Sequence, residues 1–285
     1  MKHSAPPILN GLSEIAYEYD AAICDVWGVL HNGKEAYFEA ADAMRRFRAT
    51  RGPVFLLSNA PRLADGVEAQ FARVGLPFDF YDGIVTSGLA ARADLQSRTE
   101  GGSTLRMFYL GPPRDNPLYE GLNVTLVPPE DAEIVLCTGF YDDETETPDD
   151  YRAMLHGFRA RELIFLCANP DIVVQRGEKL IYCAGAIARL YESLGGTVVY
   201  YGKPYAPVFE KTLAGLRACA PVLRPLVIGD GIETDILGAQ RMGLDALFIG
   251  GGIHGEEIRE DPKALGNLFR KSGVSARAAM PALVW

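Results

Sequence analysis

The sequence has no long uncharged stretch, no apolar leader and no internal repeat, and each absence excludes a class of protein. No run free of Asp, Glu, Lys and Arg exceeds about eleven residues, whereas a membrane-spanning helix needs about 20 apolar residues. The opening residues, MKHSAPPILNGLSEI, lack the apolar core of a signal peptide. Neither a coiled-coil heptad nor a longer repeat is visible. We therefore expect a globular protein of the cytoplasm that does not bind a membrane.

Cysteine is scarce and scattered, which argues against a disulfide framework and against a zinc site. The five cysteines stand singly, without the paired spacing of metal ligands, at Cys24, Cys137, Cys167, Cys183 and Cys219. Reduced thiols are the expected state, as is usual in a cytoplasmic protein.

Positive charge is in deficit. Lys and Arg number 28 against 37 Asp and Glu, so the net charge of the 285 residues is −9. A surface this acidic argues against nucleic acid as the main partner. An anionic substrate would need a local positive group or a metal ion to hold it.

The chain does contain a regular alternation of short apolar runs and helical patterns, with 48% hydrophobic residues overall. The runs AAICDVW (21–27), PVFLLS (53–58) and PLVIGD (225–230) are typical of buried strands, and helices such as Leu63–Val74 are predicted between them. The middle of the chain repeats the alternation as what looks like a separate unit. The pattern predicts an α/β fold with a parallel, Rossmann-like sheet.

Two polar segments stand at the ends of the first predicted strands, where open α/β sheets gather their active sites. Asp25, in CDVWGVLHNG, could act as a nucleophile or a metal ligand, or could simply end the strand in a turn. Ser58 and Asn59, in LLSNAPR, lie just before a predicted helix. Hydroxyl, amide and backbone N–H groups at a helix start can bind an anion, although they can equally cap the helix.

Two further segments follow later strands. Lys203, in YYGKPY, can supply a point charge for phosphate or lie on the surface. In VIGDGIETDILGA, Asp230 and Asp235 are expected to converge from one strand–loop–helix corner, or could simply be a turn Asp and an Asp at the start of the helix. Paired carboxylates of this kind suit Mg²⁺, which prefers oxygen ligands.

In this order the four segments resemble the four motifs of the haloacid dehalogenase-like (HAD) superfamily. The opening DxxGVLxxG, SNAPR, ANPD, CAGAIARLYESLGG, GKP and GDxxxTDILGA are similar to subclass IIA, the p-nitrophenyl phosphatase-like and pyridoxal phosphatase-like group. The resemblance covers nearly the whole chain, from about Tyr19 to the closing PALVW.

The resemblance implies a role for each matching residue. Asp25 corresponds to the nucleophile that forms an aspartyl-phosphate, and Lys203 to the lysine that neutralises charge on the nucleophile and the phosphoryl oxygens. Ser58 corresponds to the phosphate-binding residue, with Asn59 and Lys203 also at the phosphate. The reaction expected is hydrolysis of a small phosphorylated metabolite.

The resemblance also implies a Mg²⁺ site and an inserted cap. The metal would be held by the side chains of Asp25 and Asp230 and the backbone carbonyl of Trp27, with Asp235 in support. The HAD core would comprise residues 1–87 and 180–285, and residues 88–179 would form an α/β cap domain of the C2a type. Relatives of this subclass often dimerise through the cap, so a homodimer is a further expectation.

The chain departs from the family pattern at Trp27, where the first motif has a second Asp that acts as general acid and base. An indole can neither protonate a leaving group nor activate water. General acid–base catalysis is typically worth about 10²–10⁴-fold in rate. The ordinary pKa of histidine suits His31 to replace the missing Asp as acid and base. His31 could also be a loop residue that merely contacts substrate or solvent.

One pattern points to a different function. GGGIHG (250–255) follows a strand and satisfies the G-x-G-x-x-G fingerprint of dinucleotide sites. The acidic residue expected about 20 positions later is missing, so a loop beside the phosphatase site is the better interpretation. The other histidines, His3, His156 and His254, have no partner pattern and no assigned role.

Two functions therefore remain open. The first is a Mg²⁺-dependent phosphatase. The alternative is a catalytically impaired relative that binds a phosphorylated ligand as a sensor or regulator.

Overall fold

Two parallel sheets carry the strands predicted from the apolar runs. The computed structural model describes residues 5–222, 224–251 and 264–285. His3, His254 and most of the GGGIHG segment lie outside these described residues. Among the helices that are described, none has the length and apolarity that a membrane crossing requires.

Within the described residues, six parallel strands form the first sheet: β1 (Ala21–Cys24), β2 (Val54–Ser58), β3 (Gly83–Thr86), β11 (Pro225–Gly229), β12 (Asp245–Ile249) and β13 (Ala278–Met280). Their order across the sheet is β13-β12-β11-β1-β2-β3. The chain therefore leaves β1 toward one edge and returns on its other side at β11. A ligand site is expected at this point, outside the carboxyl ends of β1 and its neighbours.

The second sheet has five parallel strands: β4 (Leu105–Leu110), β5 (Val124–Leu126), β6 (Ile134–Cys137), β7 (Ile164–Cys167) and β10 (Thr197–Tyr200). Their order across the sheet is β10-β7-β6-β4-β5. A separate antiparallel hairpin joins β8 (Val173–Arg176) to β9 (Lys179–Tyr182).

Helices cover the faces of the sheets, as parallel strands require. They are α1 (Phe38–Thr50), α2 (Ala64–Val74), α3 (Ser87–Arg98), α4 (Arg152–Ala160), α5 (Ala184–Ser193), α6 (Ala206–Cys219), α7 (Leu237–Met242) and α8 (Ala264–Ser272). Short 3-10 turns lie at Leu12–Glu14, Ala16–Glu18, Glu100–Gly102, Pro113–Leu118, Pro129–Asp131 and Pro148–Tyr151, and one π-turn at Ile232–Ile236.

The central strands are buried on both faces. In β1 all four residues are buried, and they alternate between two cores: Ala22 and Cys24 face one, and Ala21 and Ile23 face the other. The second sheet is likewise packed on both faces by its own two apolar clusters. All five cysteines are free thiols, as predicted.

The second sheet continues beyond residue 179, where the inserted unit was expected to end. β10 pairs in parallel with β7, and α5 packs against the same apolar cluster, so both belong with this sheet. At the other boundary, residue 88 falls inside the first turn of α3. We therefore place the end of the inserted unit near Tyr200. The division into a core and a cap remains a proposal.

Candidate active site

The acidic residues predicted to hold a metal meet at the carboxyl edge of the first sheet. Asp25 follows β1 and Asp230 follows β11, and these strands are neighbours in the sheet. Asp235 reaches the same point from the π-turn after β11. Each of the three offers a carboxylate oxygen within 4.8 Å of the others, and all three residues are buried.

Lys203 lies within this carboxylate cluster and forms two ion pairs. Its Nζ donates to Asp25 Oδ1 at 2.5 Å and to Asp235 Oδ1 at 2.8 Å, and its side chain is only 2% exposed. Burial alone would lower the pKa of this ammonium, but the carboxylates of Asp235 and Asp25 outweigh it and raise that pKa. Lys203 is therefore a fixed positive charge against Asp25.

The cluster fits a divalent cation. Three carboxylates stand against one ammonium, an excess of negative charge in a buried place. Burial raises the pKa of the Asp25 carboxyl above its usual range, with the charges of Asp235 and Asp230 acting in the same direction and Lys203 opposing them. An all-oxygen donor set of this charge suits Mg²⁺.

Both oxygens of the Asp235 carboxylate accept hydrogen bonds. Oδ1 accepts from Lys203, and Oδ2 accepts from the backbone N–H of Gly231 at 3.1 Å and from the Thr234 hydroxyl at 3.4 Å. These bonds fix the orientation of the Asp235 carboxylate, as the supporting role expected for it requires.

A tight loop after β1 closes the cluster. Gly28 has φ +87°, and a Cβ at this position would lie 2.1 Å from Asp230 Oδ2. Only glycine fits both the left-handed backbone and the contact. The loop backbone is therefore pressed against the Asp230 carboxylate.

Ser58 and Asn59 have different surroundings from each other. Ser58 is 4% exposed, and its Oγ accepts a hydrogen bond from the backbone N–H of Ala60 at 3.1 Å. The helix predicted at Leu63–Val74 is present as α2, which begins at Ala64, so a short loop separates it from Asn59. Backbone amides at this site come from the loop after β2 and not from a helix N-terminus.

The Asn59 amide is engaged on both sides. Its Oδ1 accepts from the backbone N–H of Lys203 at 2.7 Å. Its Nδ2 donates to Asp171 Oδ1 at 2.8 Å and to the Lys203 carbonyl at 3.3 Å. Through these hydrogen bonds, the Asn59 side chain positions the backbone of Lys203. The Asn59 side chain is therefore less suited to the phosphate contact that was expected.

Trp27 lies at the cavity wall and reaches the hairpin. Its indole N–H donates to the backbone carbonyl of Gln175 in β8 at 2.6 Å. Gly33 packs so closely on the ring that a Cβ there would lie 2.6 Å from it. The side chain therefore holds the hairpin over the site.

His31 is not placed to act as the substitute acid. It is 1% exposed, packs edge-on against the rings of Trp27 and Phe71, and is not among the residues lining the cavity. Burial, assisted by the charge of Arg62, lowers its pKa to about 4. Its Nδ1 accepts from the Gly33 N–H, and its Nε2 has no hydrogen-bond partner among the described residues. The geometry favours a neutral core histidine.

A cavity of about 130 Å³ lies between the two sheets and the hairpin. The structure brings six of the predicted site residues to this cavity, namely Asp25, Trp27, Ser58, Asn59, Lys203 and Asp230. Other charged residues, none of them predicted as site residues, line the same cavity, namely Arg62, Arg114, Asp115, Asp143, Asp171 and Arg176. Of these, Arg62 and Asp171 belong to the SNAPR and ANPD segments, which carried a signal as motifs.

Comparison with known proteins identifies the family. A solved hydrolase of the haloacid dehalogenase-like family from Brucella suis is 42% identical, with a TM-score of 0.87, and the match covers 97% of this chain and 100% of that one. The chain belongs to the HAD superfamily. Its subclass is IIA, as the motifs indicated. Family models described as haloacid dehalogenase-like hydrolases match residues 22–125 and 200–271.

More distant relatives have named activities. The ribonucleotide monophosphatase NagD of Escherichia coli K12 is 27% identical over 241 residues, which cover 81% of this chain and 87% of NagD. A glycerol phosphate phosphatase of Mycobacterium tuberculosis, solved in complex with magnesium, has a TM-score of 0.63 at 21% identity, covering 88% of this chain and 74% of that one. The prediction of a HAD-like hydrolase of the phosphatase class is confirmed.

Proposed function

We propose that this HAD-family phosphatase hydrolyses a small phosphorylated metabolite with Mg²⁺, through an aspartyl-phosphate on Asp25. The observation that carries the proposal is the cluster in which Lys203 pairs with both Asp25 and Asp235, with Asp230 in the same group of carboxylates, beside a small cavity lined by Asp25, Lys203 and Asp230. A carboxylate that is oriented by a paired ammonium can act as a nucleophile.

The proposed hydrolysis has two steps, both at Asp25. The Asp25 carboxylate attacks phosphorus, a P–O bond to Asp25 forms, and the ester P–O bond breaks; the leaving oxygen takes a proton from solvent and departs as the alcohol. Water then attacks the phosphorus of the aspartyl-phosphate and gives up a proton to solvent, while the P–O bond to Asp25 breaks, so that Asp25 returns as a carboxylate and inorganic phosphate is released. Lys203 balances the charge of the Asp25 carboxylate before attack and the charge of the phosphoryl oxygens in the intermediate.

Asp25 and Asp230, with the Trp27 carbonyl, would hold the Mg²⁺, and Asp235 would support the site. The cation would supply charge stabilisation to the phosphoryl oxygens. Ser58 and the backbone of the loop after β2 would donate hydrogen bonds to the phosphoryl group, which needs preorganised donors as charge develops.

The alternative is a sensor that binds a phosphorylated ligand without efficient turnover. Trp27 favours it, because its indole has no acid or base function and its only donor is committed to the Gln175 carbonyl. Retention of Asp25, Lys203 and Asp230 in one buried cluster favours the enzyme, because binding alone does not need a nucleophile.

Phosphate release from p-nitrophenyl phosphate separates the two functions. We expect turnover with MgCl₂ and none with EDTA. Asp25→Asn should lower kcat by at least about 10³-fold, since removal of a nucleophile usually costs more than this. The exposed Asp65→Asn is the matched control and should retain full activity. Stabilisation by phosphate without turnover would support the sensor.

The metal site has a test that does not depend on activity. Saturating Mg²⁺ should raise the melting temperature of the parent protein, because a ligand that binds only the folded state stabilises it. Asp230→Asn should remove most of this shift. An equal shift in the variant would contradict the assigned metal ligands. The cytoplasmic location, the homodimer through the cap and the absence of a nucleic-acid partner remain predictions from the sequence.

A further inference from the structure

Three arginines line the same cavity as Asp25. They come from separate segments: Arg62 follows β2, Arg114 lies in the 3-10 turn Pro113–Leu118, and Arg176 ends β8. Convergence from three places in the chain is a property of the tertiary structure. It puts guanidinium groups at a cavity in a protein whose net charge is −9.

Each of these arginines is held by a carboxylate that lines the same cavity. Arg62 Nε pairs with Asp115 Oδ1 at 3.0 Å, and the Asp115 side chain is 2% exposed. Arg176 contacts both oxygens of Asp143, at 2.8 and 2.9 Å, and Arg114 pairs with Asp143 at 2.7 Å. The ion pairs fix the positions of the guanidinium groups before any ligand arrives.

The charge of this region is positive. Three guanidinium groups stand against two carboxylates, and the contact with Arg176 lowers the pKa of Asp143 to about 2, so that carboxylate is ionised at neutral pH. Glu144 also approaches Arg176, at 3.4 Å, but it is half exposed and pairs with Lys179. Among the three arginines and the cavity carboxylates that they pair with, Asp115 and Asp143, one positive charge is therefore in excess.

Hydrogen-bond donors also remain. An arginine has five N–H donors. In the described part of the chain, Arg114 uses only Nη2, for Asp143, and Arg62 uses Nε for Asp115 and Nη1 for Gln70. Nη2 of Arg62 and both Nε and Nη1 of Arg114 are left to meet a ligand.

We propose that Arg62, Arg114 and Arg176 form an arginine subsite that binds a second anionic group of the substrate, a carboxylate or a second phosphate. The inference rests on the proposed function, in which the scissile phosphoryl group lies at Asp25. Guanidinium groups suit this task because they bind carboxylate and phosphate oxygens in a fork geometry.

The inferred substrate class is a phosphorylated acid or a bisphosphate, because the three arginines line the same cavity as Asp25.

A matched series of three-carbon substrates tests the subsite. Glycerol 3-phosphate, 3-phosphoglycerate and glycerol 1,3-bisphosphate share a skeleton and differ in the group at the far end: hydroxymethyl, carboxylate or phosphate. We expect kcat/KM to be about 10- to 100-fold higher for one or both anionic substrates than for glycerol 3-phosphate, the range that charge-assisted hydrogen bonds supply. The carboxylate and bisphosphate arms show which anion is preferred.

Variants show whether the arginines cause the preference. Arg114→Met leaves the pair of Arg176 with Asp143 in place and should reduce the ratio of kcat/KM values at least fivefold, mainly through KM of the anionic substrate. Arg114→Lys keeps the charge and should restore part of the ratio. Arg106→Met, which removes an exposed ion pair with Glu133 elsewhere in the second sheet, is the control and should leave the ratio unchanged.

The outcomes are distinguishable. A ratio near one in the parent protein, with all three substrates hydrolysed, overturns the arginine subsite and leaves the proposed function standing. A high ratio that survives both Arg114→Met and Arg176→Met also overturns it. No hydrolysis of these substrates or of p-nitrophenyl phosphate overturns the proposed function, and the subsite with it.

Discussion

The carboxylate cluster and the arginine subsite are built from the same kind of ion pair in opposite proportions. In the carboxylate cluster, the single ammonium of Lys203 pairs with two of three carboxylates. At the other region, three guanidinium groups share two carboxylates, Asp115 and Asp143. The excess charge is negative in the first and positive in the second. Both regions contain ion pairs. The ratio of acidic to basic side chains in each region thus decides which suits a cation and which an anion.

Burial is the second difference between the two regions. The side chain of Lys203 is 2% exposed, whereas those of Arg62, Arg176 and Arg114 are 20%, 25% and 49% exposed. Charges in water are screened, so a change at the carboxylate cluster should cost more free energy than a change at the arginine subsite.

The largest effect is expected from Lys203→Met. The substitution leaves Asp25 and Asp235 buried without their cation, and breaking a buried pair in this way costs about 3–5 kcal/mol. Urea denaturation in EDTA would measure the loss in the free energy of unfolding. The exposed Lys211→Met should change it by less than about 0.5 kcal/mol. If both variants lose the same small free energy of unfolding, the burial of Lys203 does not make its ion pairs more costly to break.

His31 tests what a buried titratable group costs without an ion pair. Its pKa falls from 6.5 to about 4 on folding, so the folded protein resists its protonation. Above pH 6.5, where His31 is neutral in both states, its burial costs no free energy of protonation. As the pH falls from 6.5 through about 4, the unfolded state binds the proton more readily and the free energy of unfolding decreases. Between pH 7 and 4 the parent should therefore lose about 3 kcal/mol more than His31→Phe.

Denaturation of parent and variant at both pH values would measure this difference for His31. The exposed His156→Gln should behave like the parent. If the parent and His31→Phe lose the same free energy, then His31 is accessible to protons in the folded state, and an acid–base role for it would regain support.

Asp143→Asn tests the arginine subsite directly. The folded pKa of Asp143, about 2, lies below its usual 3.8, so its stabilisation is present above about pH 4 and is lost as the pH falls through 2. At pH 7 the variant should lose about 2 kcal/mol. Asp149→Asn, which removes an exposed pair with Arg152, should lose less than about 0.5 kcal/mol. A loss at Asp143 as large as that of Lys203→Met would mean that the two regions do not differ.

The smallest effect is expected from Trp27→Phe, which keeps the aromatic ring and removes the donor to Gln175. Loss of one hydrogen bond costs about 1 kcal/mol, and the unpaired carbonyl can add to it. Hydrogen exchange should quicken at Gly177, whose N–H donates to the Asn32 carbonyl where the same loop meets the hairpin. Trp285→Phe is the control. Unchanged exchange in Trp27→Phe would show that the indole does not hold the hairpin.

The sequence by itself determined the fold class and the residues of the carboxylate cluster. Buried strands such as β1 and β11 are short apolar runs, and in a parallel sheet their carboxyl ends lie at one edge, so the chain's own pattern places Asp25 and Asp230 together. The resemblance to the HAD motifs then adds Ser58, Lys203 and Asp235. These signals are local, because each residue directly follows a strand or a turn that the sequence itself specifies.

Tertiary structure decided the rest. Asn59 was expected to contact phosphate, but its side chain positions Lys203 instead. This depends in part on its hydrogen bond to Asp171, which is 112 residues from Asn59 in the chain. The burial of His31, the bond from Trp27 to the hairpin and the convergence of Arg62, Arg114 and Arg176 depend equally on distant segments. Periodicity and motifs report on neighbours along the chain, whereas desolvation and ion pairing are set by neighbours in space, and only the folded chain brings those together.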